Sequence, residues 1–282
     1  MKKIEAVIFD WAGTTVDYGS FAPVVAFAKA FEKFGIKPTT DEIREPMGML
    51  KWDHIHAMMK MPRITEEWKK AHGRMWEKSD VDAIYEQSER VIFEVLNEFS
   101  TPKPYVTEEI AKLREKGIKI GSTTGYTTEM MDIVVKAAEK QGYKPDAWFC
   151  PNHTNNMGRP YPYMIFRNLE VLGVGSVGNT IKVGDTVADI KEGKNAGMIT
   201  VGVVEGSSVM GYSEDEYEAF SPEKKKQETL RVRNIYLDNG ADYVIKNMSE
   251  LCSLIEKIEK YKKENFRFGN SLFKFYINLT RL

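Results

Sequence analysis

Ala6-Val7-Ile8-Phe9-Asp10-Trp11-Ala12-Gly13-Thr14-Thr15 decides the fold class. Four apolar residues in a row predict a strand buried on both faces, as in a parallel sheet. A carboxylate followed by a small-residue loop then falls at the carboxyl end of that strand, where open α/β sheets bind their ligands. An aspartate in that place is often only a turn or capping residue. Asp10 therefore needs companions before it is read as chemical.

Working outward, further apolar runs predict strands at Lys119–Thr123, 147–150, Thr180–Gly184, 199–204 and Tyr243–Ile245. Helix-length amphipathic segments lie between most of them. The segment 107–116 places Ile110 and Leu113 at helical spacing and stops at Gly117, a favoured residue just past a helix end. This alternation predicts a doubly wound, Rossmann-like parallel sheet. One region breaks it. Between 21 and 99 the periodicity is helical throughout, with Val24, Phe27, Phe31 and Phe34 in one stripe and Tyr85, Val91, Phe93, Val95, Leu96 and Phe99 crowding a later segment. The reading is a discontinuous sheet domain, 1–16 and 101–282, with a helical domain, 17–100, inserted after the first strand. Thr101-Pro102-Lys103-Pro104 is the return hinge.

The 282 residues suit one large or two unequal domains. The 40 basic and 41 acidic side chains give a net charge of −1, which offers no global pull toward nucleic acid or an anionic membrane. Cys150 and Cys252 are too few and too far apart for a disulfide framework. No apolar run is long enough to span a bilayer, and the amino terminus enters a strand at once rather than a signal peptide. A cytoplasmic location is expected. The segment 266–282 carries Arg267, Lys274 and Arg281 with many apolar residues and no acidic one. An edge strand, a partner contact and a poorly ordered end are all open for it. The Asn278-Leu279-Thr280 sequon is read as chance.

Three more polar segments sit at or beyond strand ends. Ser122-Thr123-Thr124-Gly125 offers hydroxyls and amides at a strand-to-helix turn, a cradle for an anion such as phosphate. Arg159, in Gly158-Arg159-Pro160, is expected at the start of a helix, where a guanidinium neutralises a phosphoryl group. Asp185 and Asp189, in Gly184-Asp185-Thr186-Val187-Ala188-Asp189, suit a hard cation such as Mg²⁺. Each segment alone has a plain structural explanation. Their order and strand-end placement argue for a single site.

In that order the four segments resemble the motifs of the haloacid-dehalogenase superfamily, and the helical insert resembles its type-1 cap. The usual loop there is Asp-x-Asp, whose second aspartate protonates a leaving alkoxide; here that position is Ala12. The Asp10–Thr15 loop, Met47-Gly48-Met49-Leu50-Lys51, and the runs around Tyr126, Arg159 and Asp185 resemble the superfamily's phosphonatase branch, from about Ile4 to Lys260. The resemblance implies hydrolysis of the C–P bond of phosphonoacetaldehyde, a small phosphonate formed in 2-aminoethylphosphonate degradation. It implies Mg²⁺ held by Asp10, Asp185 and the Ala12 carbonyl, with Asp189 behind them. It also implies an aspartyl-phosphate on Asp10 and a Schiff base on Lys51. Thr124, Gly125, Arg159, His54 and Tyr126 would bind the substrate, and a homodimer would form through the cap. Expelling a carbanion directly is difficult; an iminium accepts the electrons instead, and Ala12 then suffices because no leaving oxygen needs an acid.

Met49, Leu50 and Trp52 are apolar neighbours that would desolvate Lys51 and lower its pKa. His54 follows three residues later and is either a proton shuttle or a packing histidine. His56, His72 and His153 read as structural or surface residues. Trp11 reads equally as pocket lining or core. Met47, Met49, Met58, Met59 and Met61 read as adaptable packing. Two other functions remain: a phosphatase or phosphomutase acting on a small phosphate ester, which Ala12 with Lys51 argues against, and a catalytically dead binding module, which the intact polar set argues against.

Overall fold

The computed structural model describes residues 3–47 and 49–268, with side chains to residue 262. Gly48, the first two residues and the tail beyond 268 lie outside the described residues, and so do most of the tail readings above. Chain order is β1 (Ala6–Phe9), then five helices: α1 (Phe21–Glu32), α2 (Thr40–Arg44), α3 (Lys51–Met59), α4 (Pro62–His72) and α5 (Lys78–Val95). Next come α6 (Val106–Glu115), β2 (Lys119–Thr123), α7 (Thr128–Glu139), β3 (Ala147–Phe149), α8 (Tyr163–Val171), β4 (Thr180–Gly184) and α9 (Val187–Ala196). The chain continues through β5 (Ile199–Val203), α10 (Glu214–Glu218), α11 (Pro222–Asp238), β6 (Tyr243–Ile245) and α12 (Leu251–Phe268).

The six strands form one parallel sheet in the order β3-β2-β1-β4-β5-β6. β1 lies in the middle, so its residues meet protein on both faces. Val7 and Phe9 join one apolar cluster with residues of α6, α7 and α12. Ala6 and Ile8 join another with α8 and the end of α9. Alternation of period two along a fully buried strand explains why the sequence is apolar at every position. Two strands end one residue sooner than the sequence suggests: Cys150 already caps a short 3₁₀ turn, and the register of β5 with β6 ends at Val203.

Between β1 and β2 the chain is helical, as its periodicity predicts. Val24, Phe27 and Phe31 of α1 pack with Ile55, Met58, Trp68, Val81 and Ile84 in an apolar cluster of the insert's own. Burying an aromatic side chain as fully as Phe31 contributes about 2–3 kcal/mol. Asp17 starts α1 by accepting the Phe21 and Ala22 amides at 2.9 and 3.0 Å. The two chain crossings into the insert pair with each other: Val16 bridges Ala12 and Pro102, the Asp17 amide donates to the Thr101 carbonyl at 3.2 Å, and the Lys103 amide donates to the Thr15 carbonyl at 2.9 Å. Among the described residues, no helix is long and apolar enough to cross a membrane.

Candidate active site

The carboxyl ends of β1, β2 and β4 converge. Asp10 follows β1 and its amide donates to the Val183 carbonyl of β4 at 3.0 Å, so pairing of the central strands fixes its position. Asp185 follows β4; the Ser208 amide donates to its Oδ2 at 2.7 Å. The Thr14 hydroxyl lies 3.1 Å from Asp185 Oδ1 and 3.4 Å from Asp10 Oδ2. Gly13 has φ +82°, and a Cβ there would lie 2.1 Å from Asp185 Oδ2, so only glycine lets the loop pass beneath that carboxylate. Asp10, Asp185 and Asp189 each present a carboxylate oxygen, all within 4.8 Å of one another.

Burial pushes the Asp10 carboxyl above its ordinary range, against the pull of Arg159. It pushes Asp185 well above that range, helped by the neighbouring Asp10 and Asp189 charges. Asp189 goes the other way: burial alone would raise it, but Arg159 and Lys182 together hold it low. Two crowded carboxylates with raised pKa values are the condition that a bound divalent cation relieves.

Arg159 is buried and joins these parts. Its Nη2 pairs with Asp10 Oδ1 and lies 3.1 Å from Asp189 Oδ1, and its Nε donates to Glu192 at 3.1 Å. It sits in the turn ahead of α8 rather than at the helix start, which is four residues later at Tyr163. The expected hydroxyl cradle is only partly available. Ser122 Oγ accepts from the Trp11 indole at 2.7 Å, and Thr123 Oγ1 donates to Glu192 at 2.9 Å while accepting from Lys182 at 2.8 Å. Thr124 Oγ1 accepts the Tyr126 amide at 3.1 Å and shapes the turn, while the space beside Gly125 is open. Trp11 is core, edge-on to Tyr143 with centroids 5.1 Å apart.

Lys51 is the first residue of α3, and its amine reaches α7 and the turn before it. Its Nζ meets the Met130 sulfur of α7 and lies 5.5 Å from the centre of the Tyr126 ring. Burial lowers its pKa to about 7, against a raising pull from Glu89. His54 shares the helix, but its ring packs on Phe27 at 4.3 Å inside the insert's core, and burial lowers its pKa to about 4. His56 lies between Trp52 and Trp76, His72 stacks on Trp68, and His153 accepts the Cys150 amide at 3.2 Å. Met58 and Met59 are buried, and Met49 is half exposed.

Several residues of the site are missing from the sequence reading. Lys182, fully buried on β4, lies 3.0 Å from Asp189 and 3.2 Å from Glu192. Lys103, in the return hinge, donates to the Gly13 carbonyl and to the Glu205 carbonyl at 2.7 Å; burial lowers its pKa to about 8. Lys182 leaves a signal: a lysine inside the central apolar strand Thr180–Gly184 must be paired to be buried. Glu192, Lys103 and Ser208 leave none, since they resemble surface residues until the chain is folded.

A parallel sheet with an aspartate at the end of β1, a second carboxylate at the end of β4, a buried arginine between them and a helical insert after β1 defines a class. Residues 4–197 match the haloacid dehalogenase-like hydrolase family, and the chain belongs to it. Within that family its relatives include phosphonoacetaldehyde hydrolases. Those of Bacillus cereus and Bacillus anthracis are each 52% identical over 258 residues, covering 92% of this chain and 97% of theirs. A solved structure of a phosphonoacetaldehyde hydrolase-like protein from Oleispira antarctica superposes with a TM-score of 0.86 at 36% identity, covering 91% of this chain and 93% of that one. A β-phosphoglucomutase from Clostridium difficile shares the fold alone, at 18% identity and a TM-score of 0.62, covering 92% of this chain and 98% of that one.

Proposed function

We propose that the chain hydrolyses phosphonoacetaldehyde to acetaldehyde and orthophosphate, in the degradation of 2-aminoethylphosphonate. The observation that carries the reading is the pairing of a desolvated lysine, Lys51, with a nucleophilic aspartate whose loop has Ala12 where an acid would stand. A phosphatase releasing an alkoxide needs that acid; a lysine that forms an imine does not.

The neutral Lys51 amine attacks the aldehyde carbon, and loss of water gives a protonated imine. An oxygen of Asp10 then bonds to phosphorus as the C–P bond breaks. The C–P electron pair moves into the imine and leaves an enamine on Lys51. Protonation of the enamine carbon and addition of water release acetaldehyde and restore the amine. A second water attacks phosphorus, releases orthophosphate and restores the Asp10 carboxylate. Arg159 opposes the charge of the phosphoryl group throughout, while Lys182 and Glu192 keep its guanidinium in place. Thr124, Gly125 and Tyr126 would line the phosphonate and aldehyde. His54, enclosed beside Phe27, fits packing better than proton transfer.

The crowded carboxylates fit Mg²⁺. Asp10, Asp185 and the Ala12 carbonyl would hold it, with Asp189 behind, braced by Lys182. When bound, the ion supplies positive charge that offsets repulsion between carboxylate and phosphonate. Residues 17–100 would act as the cap, over a sheet domain of 1–16 and 101–282. A homodimer through that cap and a cytoplasmic location complete the reading; the half-exposed Met49 and the free thiols of Cys150 and Cys252 are in keeping with them.

The test is borohydride reduction in the presence of phosphonoacetaldehyde, followed by peptide mapping, together with the Lys51→Arg variant. Wild type is expected to be inactivated irreversibly with a mass adduct on Lys51. The arginine variant is expected to lose at least about a thousandfold in turnover, because a guanidinium stays protonated and cannot attack a carbonyl. Substantial turnover by that variant, or an adduct on another lysine, refutes the reading.

A further inference from the structure

The Lys51 amine belongs to the helical insert, but the groups that touch it belong to the sheet domain. Met130 lies in the first turn of α7, close behind the Thr124–Tyr126 turn of the candidate site, and is fully buried. Its amide donates to the Thr127 hydroxyl that caps the helix, 3.5 Å away, so its backbone is fixed to the same loop that shapes the site. The Lys51 Nζ donates to the Met130 sulfur, with the Tyr126 ring on another side. The neighbouring residue Leu50, though exposed, reaches the turn ahead of α8 as well: a Cβ on Gly158 would lie 3.2 Å from Leu50 Cδ2. These contacts form a single seam between the two parts of the chain.

We infer that Met130 is the positioning residue of the Lys51 amine, so that the nucleophile is assembled only where insert and sheet domain meet. The inference rests on the imine reading of Lys51. A thioether is a weak acceptor: it orients an N–H without offering the charge stabilisation that water or a carboxylate gives an ammonium. The groups facing the amine are Glu89 from α5, the Tyr126 ring and Met130. Of these only Glu89 carries a charge that favours the ammonium, and burial outweighs it. Apart from the seam, a lysine amine in water would be protonated at neutral pH. In the seam it is partly neutral, as a nucleophile must be.

The test measures the rate of borohydride trapping of phosphonoacetaldehyde on Lys51 against pH, in the full-length protein, for wild type, Met130→Ala and Met130→Leu. Removing the side chain admits water. The rise of the Met130→Ala trapping rate with pH is then expected at least about half a pH unit higher than in wild type, with a several-fold loss at pH 7 that narrows at pH 9. Leucine keeps the apolar bulk but accepts no hydrogen bond. Met130→Leu should hold the wild-type pH dependence yet trap about threefold more slowly throughout. A merely structural role would lower thermal stability and leave the pH dependence in place. A folded Met130→Ala with wild-type pH dependence overturns the inference. If Met130→Ala does not fold, Met130→Leu trapping at the wild-type rate at every pH overturns it. No wild-type adduct on Lys51 removes the imine reading itself; an adduct with unaltered variants removes only the role of Met130.

Discussion

Asp185 and Asp189 are four residues apart and both buried, yet their surroundings give them different work. Asp185 is held by a backbone amide and the Thr14 hydroxyl, faces Asp10, and carries a raised pKa. Asp189 closes a capping box with Thr186 and is compensated by Lys182 and Arg159. Asp185→Ala is therefore expected to raise the Mg²⁺ concentration for half-maximal phosphate release by at least about a hundredfold, beyond the usual effect of losing an outer partner. An unchanged Mg²⁺ titration would show that Asp185 is not a ligand. At this scale the sequence is informative where chemistry needs a rare placement. Asp10 and Asp185 follow apolar strands directly, and Arg159 joins them only through the order of the four polar segments along the chain. Met130 could not be found that way: a methionine in an amphipathic helix reads as core, and its partner lies 79 positions away.

β4 and α9 together hold a buried charge cluster that no other pair of elements reproduces among the described residues. Lys182 on the strand meets Asp189 and Glu192 on the helix, and Thr123 of β2 joins through its hydroxyl. Lys182→Met keeps the length of the side chain but leaves two buried carboxylates with Arg159 as their remaining cation. Breaking a buried pair in this way costs about 3–5 kcal/mol, and the lower end applies here because Arg159 stays. Denaturant unfolding is expected to show that loss; a change below about 1 kcal/mol would mean the cluster is dispensable for stability. Strand and helix positions were legible from periodicity, including the helical break after β1. Ends were less so: Cys150 and Val204 are apolar and read as strand, but Cys150 gives its amide to His153, and Val204 falls beyond the paired register although its amide still donates to the Ile245 carbonyl.

Across the whole molecule, the helical insert meets the rest of the chain through the Leu50–Lys51 seam, through Arg44, which donates to the Ser208 carbonyl at 3.2 Å, and through the Gly19 amide, which donates to the Gly206 carbonyl at 2.8 Å. Such long-range contacts cannot be read from local pattern, because they depend on how two independently patterned segments come to rest on each other. The ends of α1 and α5 are different; Ala22, Ala26, Val91, Ile92 and Val95 belong to the sheet domain's own cluster. The paired crossings at Val16–Pro102 have a thermodynamic consequence. Because the entry and exit strands are hydrogen-bonded side by side, the sheet domain experiences the insert as a closed ring. If the distal helices α2, α3 and α4 melted, a slack loop of about 45 residues, 33–77, would hang between α1 and α5 in place of an ordered one. Relative to a four-residue turn, such a loop costs roughly 2 kcal/mol of closure entropy, a modest fraction of a domain's stability. Subglobal opening is then within thermal reach. Amides of α2, α3 and α4 are expected to exchange with deuterium at lower urea than those of β1 and β4, and coincident exchange would refute it. The helices around Lys51 would be a separately melting tenant of the fold: heat would carry the Lys51 amine away while the parallel sheet, and Asp10 at the carboxyl end of its central strand, still stood.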